Sequence, residues 1–109
     1  MDEITNILNS NIKPKEKVTK LSDEIKKDSQ LIDTIISYFN TAKKGDQGYL
    51  IESLEYISKD YPEFVIKHID FVTKNLDNAA PRVKWECARI IANLASKYSE
   101  NLDNSIPAL

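Results

Sequence analysis

His68 and Cys87 are the single histidine and the single cysteine of this 109-residue chain, and they carry the groups best suited to act as base and nucleophile. A general base must reach a nucleophile or a substrate within hydrogen-bond distance, and the sequence around His68 offers neither. Phe64 and Phe71 flank it on an apolar stripe, which predicts a buried or half-buried structural histidine. Cys87 sits among small and branched residues, without the base and positive setting that activate a thiol, and reads as a packed side chain. One thiol can neither close an internal disulfide nor furnish a structural zinc site, which points to a reducing compartment. The carboxylate pairs Asp23/Glu24 and Glu52/Glu55 stand among lysines and read as solvated faces rather than acid-base pairs. Gly45 and Gly48 lack the flanking Lys-Ser or Lys-Thr and the strand of a phosphate loop, so they read as a turn. No His, Cys or acidic cluster has metal-ligand spacing. The expectation is a protein that is not an enzyme and holds no cofactor and no metal.

The remaining candidates are binding residues. Trp85 lies about two hundred degrees around a helix from Val83, off the main apolar stripe. It reads as an indole packed on the preceding helical pair, with exposure as a partner's anchor the alternative. Arg82, Glu86, Arg89, Asn93 and Lys97 form a polar stripe on the same helix and read as a solvated charge ladder. Tyr56 is a second candidate aromatic anchor.

The elements that must position these residues follow from composition and period. Two glycines and four prolines in the whole chain favour long helices with short connections, and the length suits one domain. Asp2 to Asn9 forms a short helix through Ile4, Ile7 and Leu8. A second begins at Pro14 and places Val18, Leu21 and Ile25 on one face; Asp28 or Ser29 then caps a third, carrying Leu31, Ile32, Ile35, Ile36 and Phe39 to about Ala42. Lys43 to Asp46 reads as a connection before a helix marked by Leu50, Ile51, Leu54, Ile57 and Tyr61. Pro62 opens the next, with Phe64, Val65, His68, Ile69, Val72 and Leu76 on one side. Pro81 opens a helix whose apolar face is Val83, Cys87, Ile90, Ile91, Leu94 and Tyr98.

A pattern recurs 37 positions apart: Leu54, Ile57, Tyr61, Val65, Ile69 and Val72 are answered by Ile91, Leu94, Tyr98, Leu102, Ile106 and Leu109. A repeat of that length predicts stacked helical pairs that share one core. The fold class expected is all-α, a short right-handed α-solenoid of about three antiparallel helix pairs. Its parts are an N-terminal helix or cap at 1–13, a divergent pair at 14–44, a second pair at 45–78 and an incomplete third at 79–109. The last pair reads as truncated, which would leave Leu102, Ile106 and Leu109 as an uncapped, self-associating end.

Pro81-Arg82-Val83-Lys84-Trp85-Glu86-Cys87-Ala88-Arg89-Ile90-Ile91-Ala92-Asn93-Leu94-Ala95 resembles the first helix of a HEAT-like repeat, with its Val-Arg step and small residues before Leu. Lys84 stands where arginine is usual. The small stripe Ala88, Ala92 and Ala95 predicts a second buried face against a neighbouring repeat. The resemblance covers about two-thirds of the chain and implies a HEAT/armadillo-like scaffold that docks a protein segment or a copy of itself. The concave candidates are Asp33, Ser37, Asn40, Lys67, Asp70 and Lys74, with Trp85, Arg82, Arg89 and Tyr56 beside them. The second reading is a nucleic-acid-binding module, since HEAT-like repeats also build one class of alkylpurine DNA glycosylases. A net charge of -2 supplies no global positive field for phosphates. No basic leader or long apolar run appears, so the expected location is cytoplasmic and no membrane contact is expected.

Overall fold

The computed structural model describes the backbone of residues 2–105 and the side chains of residues 3–98, and all regular structure among them is helical. α1 (Asp2–Asn9) buries Ile4 and Leu8 and packs on α2 (Pro14–Lys27). Its end is tied down because Lys17 Nζ donates to the Leu8 carbonyl at 2.7 Å and Ser10 Oγ to the Ile7 carbonyl at 2.6 Å. α2 starts on Pro14, whose missing N–H costs nothing in a first turn, and buries Val18, Leu21, Ser22 and Ile25. The Asp28 carboxylate then accepts the Gln30 N–H at 3.1 Å, an Asx turn that launches α3 (Leu31–Phe39). α3 stops at Phe39, short of the expected Ala42, where the N–H groups of Thr41 and Ala42 turn back onto the Tyr38 carbonyl.

α4 (Lys44–Asp60) begins inside the stretch Lys43 to Asp46 that was expected as a connection. Gly45 and Gly48, expected in a turn, are both helical, and Gly48 is buried where Arg82 crosses it. The helix ends at Tyr61, whose position before Pro62 disfavours helical dihedrals; it takes φ −131°, ψ 59°. Tyr61 was expected on the apolar stripe, yet it is 37% exposed and stacks on Phe64 at 5.1 Å between ring centroids.

The single helix expected from Pro62 to Leu76 is broken instead. α5 (Pro62–Val65) leads into a 3-10 turn at Ile66–His68, then α6 (Ile69–Lys74) and a second 3-10 turn at Asn75–Asp77. The β-branched residues Val65, Ile66 and Ile69 weaken the helix locally. His68 leaves helical dihedrals at φ −111°, ψ 25° while its Nε2 lies 3.3 Å from Asp33 Oδ1 on α3. Thr73 Oγ1 and Asn75 Nδ2 donate back to the Ile69 and Phe71 carbonyls and loosen the far end.

α7 (Pro81–Ser105) follows an Asx turn in which Asn78 Oδ1 accepts the Ala80 N–H at 2.8 Å. Its helical path is broken at Tyr98, at φ −128°, ψ 40°, which is the Tyr61 break again 37 positions on. At Tyr98 no proline follows, so the corner is set by something other than the proline clash that acts at Tyr61.

α4 lies between α2 and α7, with α3, α5 and α6 packed across them. The core gathers Leu21, Ile25, Ile32, Ile35, Phe39, Leu50, Ile51, Leu54, Ile57, Val65, Val72, Val83, Ile90 and Leu94, with Phe71 meeting Phe39 edge to face at 5.3 Å. The molecule measures 41 × 30 × 21 Å. No described helix is long and apolar enough to cross a membrane.

Candidate interaction surface

The apolar stripe of α7 settles the placement of the other residues from Pro81 to Tyr98. Val83, Cys87, Ile90, Ile91 and Leu94 are buried, so the positions opposite them must face outward. Trp85 is among these and is 69% exposed; the expectation that its indole packs on the preceding pair is corrected, because its position points away from α4 and no described residue covers it. Ala88 and Ala92, expected on a second buried face, are exposed beside it, and Ala95 is half-buried. Arg89 and Ser96 are exposed on the same surface, while Lys84 and Lys97 are exposed on its two sides.

Between this surface and α4 runs a polar seam that the sequence reading missed. Arg82 Nη2 donates to Glu52 Oε1, and the guanidinium lies 5.2 Å from the centre of the Tyr49 ring. Asn93 Nδ2 donates to Glu55 Oε2 at 2.9 Å and to Ser58 Oγ at 2.8 Å. Glu55 is only 3% exposed, which corrects its reading as a solvated carboxylate: α7 docks over it, and Lys59 Nζ stays within 3.5 Å to offset the buried charge. A β-carbon on Gly48 would stand 2.8 Å from Arg82 Cδ, so any larger residue there would shift the arginine side chain that reaches Glu52. Glu86 turns into the same seam, where its Oε1 is buried with no hydrogen-bond partner. Burial, then the charges of Glu52 and Glu55, push its carboxyl above the ordinary range, with Arg89 and Arg82 pulling the other way. The stripe Arg82, Glu86, Asn93 is therefore an interhelical joint rather than the solvated ladder expected.

The other candidates divide. Asp33, Ser37, Asn40, Lys67, Asp70 and Lys74 are all exposed, and Ser29, Gln30, Asp33, Phe64, Lys67 and His68 border a small cavity of about 110 Å³. Tyr56 is half-buried with Lys59 Nζ 5.4 Å from its ring centre, which occupies the face it would offer. The side chains of Leu102, Ile106 and Leu109, named for the open end, lie outside the described residues. Cys87 is fully buried and its thiol is pushed up to about 12, by burial first and by Glu86 second, which leaves no thiolate at neutral pH. Among the described residues, no group of three or more His, Cys, Asp or Glu is placed to hold a metal. Comparison with protein-family models, with curated proteins and with solved structures returns no match for this chain.

Proposed function

We propose that the chain is a noncatalytic protein-interaction module, built as a short right-handed α-solenoid of HEAT-like helix pairs. The pairs are α2 with α3, α4 with α5 and α6, and α7 up to Tyr98 with the helical stretch beyond it. The support is the succession α2, α4, α7 and the shared backbone corner at Tyr61 and Tyr98. α1 sits on α2 at one end of the succession. The observation that carries the functional reading is the uncovered flank of α7, where a tryptophan 69% exposed is flanked by Ala88 and Ala92. Tryptophan is among the residues that dominate the energetics of interface centres, and the small neighbours here leave its ring open to a partner.

A second reading, nucleic-acid binding, draws on the exposed basic residues of α7, Lys84, Arg89 and Lys97, which are spread around the helix. It is weakened by the exposed acids Asp33 and Asp70 beside Lys67, by the pairing of Arg82 with Glu52, and by the net charge of -2.

The test places the photo-crosslinking residue p-benzoylphenylalanine at position 85 or, as a reference, at exposed position 20, in the cell that makes the protein. The expected result is one dominant protein adduct from position 85, lost when Ala92→Arg is added to the same chain, and none from position 20. Equal adducts from both positions would overturn the reading. Nuclease-sensitive adducts would replace it with the second one, and an adduct with another copy of the chain would place self-association on this flank.

A further inference from the structure

We infer that the uncovered flank of α7 takes a helix of a protein partner that presents a carboxylate to Arg89; the inference rests on the interaction-module reading and names the chemistry of its partner. One observed contact transfers along the 37-residue register. α7 runs parallel to α4 and covers Gly48, Glu52, Glu55 and Ser58 through Arg82 and Asn93. The positions 37 further on are Trp85, Arg89, Ala92 and Ala95, and the first three are exposed. The flank that α4 has covered is therefore the flank that α7 has bare.

The charges on the two flanks are opposite. α4 offers carboxylates, and α7 answers with the Arg82 guanidinium and the Asn93 amide. α7 offers Arg89 in the place of Glu52; Glu86, whose carboxyl lies in the seam with α4, feels the Arg89 charge but forms no ion pair with it. Every exposed charged residue from Pro81 to Tyr98 is consequently basic: Arg82, Lys84, Arg89 and Lys97. A helix seated as α7 sits on α4 must carry an acid where α7 carries Arg82. Ala88 and Ala92 leave room for close approach, and Trp85 supplies the apolar contact. A second copy is the wrong occupant for this flank, since identical faces would set Lys84 and Arg89 against their own kind.

The test uses the full chain and reads its single tryptophan. The probe is a hydrocarbon-stapled peptide of residues 81–98 bearing Arg82→Glu and Trp85→Phe, stapled on the side away from the seam so that helicity is not a variable. The expected result is a saturable blue shift of Trp85 emission. Arg89→Glu in the chain should weaken the probe at least about tenfold, and a probe that keeps its native Arg82 should recover most of that loss on the Arg89→Glu chain. Absence of a saturable shift, or equal affinities for the two probes on both chains, would overturn the inference. So would a 20-base-pair DNA duplex that shifts the emission more strongly than either peptide. Failure here alongside a specific protein adduct at position 85 leaves the interaction-module reading intact; failure of both removes it.

Discussion

Glu86 is the residue at which the seam between α4 and α7 is least at ease. One of its oxygens is buried without a partner, Glu52 and Glu55 face it from α4, and Arg82 and Arg89 on its own helix compensate only in part. Its folded pKa lies above the ordinary 4.5, so the fold favours the protonated form. The stability this lends is complete below about pH 4.5 and is lost as pH rises through the raised value. Glu86→Gln should therefore raise the melting temperature at pH 7, and the advantage over the native chain should shrink away as the pH falls to 4. Thermal unfolding of the two chains between pH 4 and 8 checks this; a constant difference across the range would mean that the charge of Glu86 is not what strains the seam. Neither Glu86 nor Glu55 could be placed from sequence. A carboxylate between lysines has the same local signature whether water or another helix lies over it, and the covering helix here comes some 38 residues later.

At the scale of elements, most helices were legible because their apolar residues recur every three or four positions, a pattern that survives without knowledge of neighbours. Pro14, Pro62 and Pro81 each open a helix as expected. The division of 62–77 into helical and 3-10 pieces was not legible, since a 3-10 turn keeps nearly the same spacing of apolar residues. Gly45 and Gly48 misled for another reason: glycine is read as a turn former, whereas Gly48 lies inside a helix with the Arg82 side chain across it. The exposure of Trp85 was not legible either, because periodicity says which residues leave the main stripe and nothing of what covers them. The corner at Tyr98 makes a prediction about proline. Proline inside a helix costs ~3 kcal/mol or more. Ser99→Pro should cost far less, within about 0.5 kcal/mol of neutral, because Tyr61 leads into Pro62 with nearly the dihedrals that Tyr98 already holds. Denaturant unfolding of Ser99→Pro beside Ala92→Pro measures the contrast. A loss of several kcal/mol in both would show that the two corners are not equivalent.

For the whole molecule, the order of the helices sets where opening is easiest. α4 is enclosed by α2 on one side and α7 on the other, and Leu50, Ile51, Leu54 and Ile57 on it are all essentially inaccessible. α1 is eight residues long and contacts chiefly α2. Native-state hydrogen exchange should find the slowest amides between Leu50 and Ile57 and the fastest helical ones in α1. Equal protection across α1 and α4 would mean that the helices open as a single unit.

The corner shared by Tyr61 and Tyr98 has a genetic consequence. Cutting out residues 62–98 would join Tyr61 directly to Ser99, one corner to its own likeness, with the helical phase on each side undisturbed. Duplicating the same stretch would insert a whole unit and again create no unfamiliar junction. On the solenoid reading proposed above, the backbone at these two tyrosines would mark the frame in which such a chain recombines, 37 residues being the step that brings one corner onto the other.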